Sequence, residues 1–171
     1  MELEQMAIHE AGHAVIGYTL GLACNELALT HEGEGCSYSH VAYPNLVCSY
    51  EGKSAHERNT TLRAECIASC AGLAAEHVFF GVPLNTDNEN AQSDFQNIIK
   101  CERSGLRIRG DRGGLIGDDV TLSYIPRGLV EAKRLVKRHR NTIQQLADIL
   151  VEKKKISGKE VERLLKEWIP R

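Results

Sequence analysis

The sequence predicts a mainly helical α+β fold, with several helices packed around a small β-sheet in one domain over residues 1–171. Three observations predict it. Apolar side chains recur at helical spacing over most of the chain. Ser-x-x-Glu or Ser-x-x-Gln signatures, which open helices, stand at Ser54, Ser93 and Ser157. Alternating, β-prone pieces are confined to the stretch from Cys24 to Tyr50. A length of 171 residues matches one domain of ~100–200 residues. Hydrophobic residues at 42% and charged residues at 26% provide for a buried core and exclude disordered, collagen-like and mucin-like chains.

Residues 2–22 form the first expected helix. Leu3, Ala7, Ala14 and Tyr18 lie on one face and Met6, Ile16 and Leu20 on another, so the helix is buried on several sides and ends near Gly21. Glu26–Thr30 and Ser37–Tyr43, separated by Glu32-Gly33-Glu34-Gly35, belong to two or three strands between Cys24 and Tyr50. Ser54 and Glu57 make a capping box, followed by Leu62, Cys66, Ile67, Cys70, Leu73, Ala74 and Val78 on one face of a long core helix that stops at Gly81-Val82-Pro83. A second box, Ser93 to Gln96, opens a helix to about Arg107 with Asp94 in its first turn. After a glycine-rich connector, Gly110–Gly117, Pro126 suits the first turn of a helix running to Lys153-Lys154-Lys155. Ser157 and Glu160 cap a last helix whose Val161, Leu164, Leu165 and Trp168 face inward. No internal repeat, low-complexity tract or domain linker interrupts the chain.

Charge and targeting signals narrow the setting. Twenty-one Lys and Arg against 23 Asp and Glu give a net charge of −2, so no bulk attraction draws nucleic acid or anionic lipid. The longest weakly polar stretch, Ala14–Cys24, is far short of the ~20 apolar residues that span a bilayer, so no membrane segment is expected. The acidic start, Met1-Glu2-Leu3-Glu4, is unlike a signal peptide and gives a cytoplasmic expectation. In that compartment six cysteines without a C-x-x-C pair read as buried hydrophobes; Cys66 and Cys70, one helical turn apart, are the pair with metal-sharing spacing.

His9-Glu10-Ala11-Gly12-His13 is an H-E-x-x-H motif within the first helix. Histidines four residues apart project from one helical face, so both can reach one zinc at the ~2.0–2.1 Å of Zn–N bonds. Glu10, one step round the helix, is then near the metal without ligating it, where it can take a proton from water that the metal has made acidic. With seven His in 171 residues, composition alone yields such a motif about 0.03 times per chain. The apolar setting sharpens the reading, because two imidazoles on a buried face need partners and a metal supplies them.

The stretch Ala7–Gly17 resembles the zinc-motif helix of the FtsH-type peptidases, peptidase family M41. Three further segments are similar in the same order: Ile67–Gly81, with Ala71-Gly72-Leu73-Ala74-Ala75-Glu76; Asn85–Ile98; and Arg140–Leu150 followed by Lys155–Val161. The resemblance implies a third zinc ligand at Asp94, an Asp at the start of a helix. The match is imperfect: Ser93 stands where the family has Asn, the Gly of its Thr-Thr-Gly stretch is missing, and Thr86 to Asp94 is longer than the family spacing. Asp87 and Glu89 therefore stay open as rivals. An acidic residue that merely stabilises a helix N-terminus also explains an Asp at this position. Glu76, beside His77, is the candidate to hold one of the histidines from behind.

The family usually carries transmembrane segments and an ATPase module ahead of the peptidase, and neither is expected here. Gly52-Lys53-Ser54 resembles the end of a P-loop, but Val47 occupies its first glycine position and Ser54 is better explained as a helix cap. The remaining histidines, His31, His40, His56, His77 and His139, have no second ligand at zinc spacing. The expected function is ATP-independent zinc metallopeptidase action on unfolded or extended polypeptides, with His9, His13 and Asp94 holding zinc and Glu10 as general base. Two other readings stand beside it: a non-catalytic adaptor or regulatory domain stabilised by zinc, which would not need Glu10, and hydrolysis of a non-peptide amide by the same residues. Homo-oligomer formation and a separate unfoldase partner remain open.

Overall fold

Every residue from Met6 to Tyr18 of helix α1 (Leu3–Thr19) is buried, so this helix is the centre of the fold rather than an amphipathic cover. The computed structural model describes residues 3–31, 37–42, 54–85, 94–96 and 118–169. Gly21, at φ +82°, closes α1: its N–H bonds the Tyr18 carbonyl at 3.0 Å and the Leu22 N–H bonds that of Gly17 at 2.9 Å. Only a residue without a Cβ takes this left-handed position freely.

The chain then builds an antiparallel sheet in the order β2-β1-β3. Strand β1 (Glu26–His31) pairs with β2 (Ser37–Ala42), Leu27 opposite Val41, and on its other side with β3 (Lys155–Ser157), Leu27 opposite Ile156. Leu27, Leu29 and Ile156 are buried. The first two strands fall where the sequence predicts them. The third lies outside the predicted stretch, in residues read as a helix end and a cap. Lys154 takes a positive φ of 63° and turns the chain out of the preceding helix, and the Leu29 N–H bonds its carbonyl at 2.8 Å. Three residues are too few to carry a period of two.

Helix α2 (Ala55–Ser69) opens with the expected capping box: the Ser54 hydroxyl accepts from the Glu57 N–H, and the Glu57 carboxylate accepts from the Ser54 N–H at 2.7 Å. The single long core helix is in fact two. The chain breaks at Cys70, whose N–H points to the Ala68 and Cys66 carbonyls, and α3 (Ala71–Phe80) follows. Helix α4 (Asp118–Arg138) begins ahead of the predicted start and carries Pro126 inside it. Such a proline removes one ladder bond, and the burial of Ile125, Leu129 and Ala132 around it offsets that loss. The expected continuous helix also divides at His139, after which α5 (Arg140–Lys153) runs back through the core with Ile143, Leu146, Ala147 and Leu150 buried. Helix α6 (Gly158–Trp168) starts on the predicted cap, the Ser157 hydroxyl accepting from the Glu160 N–H, and buries Val161, Leu164 and Leu165.

Helix α1 packs against α3, α5 and the sheet, and α4 packs against α2 and α3. At that contact a Cβ on Gly128 would lie 2.9 Å and 3.0 Å from the sulfurs of Cys66 and Cys70, so both buried thiols are packing groups against α4. Among the described residues no helix is long and apolar enough to cross a membrane. The Gly110–Gly117 connector and most of the helix expected after Ser93 lie outside the described residues.

Candidate metal centre

The helical spacing of His9 and His13 brings their Nε2 atoms to 3.0 Å from each other inside the core, each residue about 5% exposed. Asp94 completes the group. It belongs to the helical residues 94–96, where the buried Phe95 anchors the segment, and its Oδ2 lies 3.3 Å from both Nε2 atoms. Asp87 and Glu89 lie outside the described residues.

The other side of each imidazole is already committed. His9 Nδ1 is 2.6 Å from Glu76 Oε1, and His13 Nδ1 is 2.7 Å from the carbonyl oxygen of Ala68. Both partners only accept, so both Nδ1 atoms are the donors, and in the neutral rings both Nε2 atoms carry bare lone pairs. Ala68 lies in the last turn of α2, where carbonyls lose their i+4 partners, and its oxygen accepts from His13 beside the Cys70 N–H. Asp94 Oδ2 is buried and makes no hydrogen bond of its own. With both rings neutral, three acceptor atoms converge with no donor among them.

A cation resolves that convergence, and its size can be judged. Ligands at ~2.0–2.1 Å from a tetrahedral zinc lie about 3.3–3.4 Å apart along each edge. The three edges here are 3.0, 3.3 and 3.3 Å. These groups fit zinc.

Protons are the competing cation. Burial pulls His9 toward the neutral form, but contact with Asp94 and Glu76 and the charge of Glu10 outweigh it and push its pKa up to about 10. His13 is raised by Asp94 and the charge of Glu10, against its own burial and the charge of His9. Burial alone would raise Asp94, and the two imidazoles hold it well below the usual carboxylate range. Glu10 is itself buried, and its charge reaches both histidines.

Helix α3 gives the site its other wall. A Cβ on Gly72 would lie 2.4 and 2.5 Å from the Nε2 atoms of His9 and His13, so the space beside the ligand nitrogens exists only because residue 72 has no side chain. One turn on, Glu76 is fully buried. Its Oε1 faces His9, and its Oε2 accepts from Gln5 Nε2 at 2.6 Å. Gly12, between the two histidines, lets the helices approach, since a Cβ there would lie 2.8 Å from that of Ala75.

Sequence reasoning thus names His9, His13, Asp94 and Glu76, which the fold brings together, and misses Gly72, the Ala68 carbonyl and Gln5. Gln5 left only a faint signal, as a polar residue four positions before His9 on the same helical face. His77 is no part of the site: its Nδ1 bonds the Val82 carbonyl at 2.8 Å at the end of α3. Comparison with models of known protein families and with curated proteins gives no match to this chain.

Proposed function

We propose that this chain is a zinc metallopeptidase domain of the FtsH type, a single domain over residues 1–171 that hydrolyses peptide bonds in unfolded or extended polypeptides. The observation that carries the reading is the meeting of three acceptor atoms, from His9, His13 and Asp94, at tetrahedral spacing beside a glutamate in an H-E-x-x-H helix. Three protein ligands leave a fourth position open, the pattern of catalytic rather than structural zinc. Bound there, the metal supplies Lewis acidity, polarising the scissile carbonyl and making water a nucleophile near neutral pH. Glu10 takes the proton of the attacking water and delivers it to the departing amine. Glu76 and the Ala68 carbonyl hold the two imidazoles so that Nε2, not Nδ1, faces the reaction.

An intact Glu10 favours catalysis over a purely stabilising role, since a structural site needs no base. The substrate mode rests on the sheet. Among the described residues β2 pairs on one side only, and an extended polypeptide adds to the other side by main-chain hydrogen bonds. Main-chain pairing reads little side-chain identity, so cleavage is broad, and a substrate that is already extended needs no ATP to unfold it.

The test is metal analysis of the purified chain together with digestion of casein and a peptide library, before and after chelation. One zinc per chain and chelator-sensitive peptide cleavage support the proposal. Zinc without any hydrolysis leaves the non-catalytic domain as the reading, and no metal at all removes both.

A further inference from the structure

Glu76 is fully buried, and each of its carboxylate oxygens has a separate partner on α1: His9 Nδ1 at 2.6 Å for Oε1 and Gln5 Nε2 at 2.6 Å for Oε2. Gln5 and His9 are four residues apart on one face of the helix, so Glu76, reaching from α3, is gripped at two successive turns. A carboxylate held by one bond can rotate about its terminal torsion, which is broad and roughly two-fold. Two bonds from one rigid helix fix the plane of the group, and with it the direction in which His9 presents Nε2. The donor is also neutral. A side-chain amide orients the carboxylate without cancelling its charge, so Glu76 still strengthens His9 as a ligand.

We propose that Gln5 is a positioning residue of the metal centre: acting through Glu76, it sets the orientation of His9 and so the affinity of the site. This rests on the reading of His9, His13 and Asp94 as a metal site. It assigns a task to a residue that touches neither metal nor substrate.

The experiment uses the full chain with Gln5→Leu, which keeps the bulk and removes the donor, and Gln5→Lys, which keeps a donor and so satisfies the buried oxygen if the leucine variant does not fold. Zinc affinity is read by competition with a chromophoric chelator, and ligand geometry by the visible absorption of the cobalt-substituted protein. Both variants should bind zinc about tenfold more weakly, the low end of what loss of an outer partner costs. Gln5→Leu should do so because Glu76 loses its anchor, and Gln5→Lys because the ammonium draws the carboxylate's charge away from His9. The cobalt spectrum should change in Gln5→Leu. A folded variant of either kind that binds zinc within twofold of wild type overturns the proposal, as does weakened binding by Gln5→Leu with an unaltered cobalt spectrum. A wild-type chain that binds neither zinc nor cobalt overturns the metal site itself, a result distinct from normal wild-type binding with indifferent Gln5 variants.

Discussion

Two imidazoles that commit Nδ1 to fixed acceptors have only Nε2 left to offer, and that constraint sets how the site answers to substitution and to pH. Removing a ligand should remove the metal: His13→Ala is expected to abolish zinc stoichiometry, and Asp94→Ala to weaken binding more than Asp87→Ala or Glu89→Ala. Metal analysis after dialysis checks the first and chelator competition the second. Full affinity in Asp94→Ala would assign the third ligand elsewhere. The pH dependence follows from His9. Burial works against its proton, but Asp94, Glu76 and Glu10 retain it up to about pH 10 in the metal-free chain. Below that pH zinc must displace a proton, so its affinity should rise with pH by about tenfold per unit for each proton released. Competition titrations between about pH 6 and pH 8 read the slope. A flat profile would mean that the metal does not bind at this nitrogen.

Between elements, the decisive contact is the crossing of α1 over α3, where two glycines do different work. Gly72→Ala puts a methyl carbon 2.4–2.5 Å from the ligand nitrogens and should lower zinc affinity by roughly 100-fold, the upper range for disturbing a metal site from outside. Gly12→Ala presses on Ala75 and the Ala71 carbonyl, away from those nitrogens, and should mainly cost stability, about 1–3 kcal/mol for an overpacked contact. Chelator competition and urea unfolding of the metal-free chain separate the two effects. The same crossing explains what could be read in the sequence. His9 and His13 were legible because the pitch of a single helix brings them together, and the caps at Ser54 and Ser157 because their bonds span only three residues. Asp94 was expected from the family resemblance, and the capping box at Ser93 favoured it over Asp87 and Glu89 by placing it at a helix start. Gly72, Gln5 and the Ala68 carbonyl depend on α1 meeting α2 and α3, contacts between residues more than 50 positions apart that no local pattern encodes. The break at Cys70 and the left-handed turn at Lys154 were hidden for a related reason. Neither position is a Gly or a Pro, and packing rather than propensity puts them there.

For the molecule as a whole, the proposed substrate mode ties the sheet to the metal centre. Strand β2 lies on the same core helix that carries His9 and His13, and among the described residues it pairs on one side only. The purified chain should therefore cut loosely folded proteins and peptides without ATP and leave stably folded proteins intact, as read by gel digestion of casein beside a folded control. Val41→Pro removes one N–H from β2 and should raise KM on extended peptides if that N–H faces outward. ATP-independent digestion of the folded control would contradict the mode. The central claim, that a metal and a base act here as one hydrolytic device, is tested most directly by measuring zinc content and peptide hydrolysis in parallel for wild type and Glu10→Gln. The substitution is nearly isosteric and leaves both imidazoles and Asp94 in place, so zinc should stay at the wild-type level while turnover falls by ~10²–10⁴-fold, the contribution of a general base. Unchanged turnover in a zinc-loaded Glu10→Gln chain would contradict the claim.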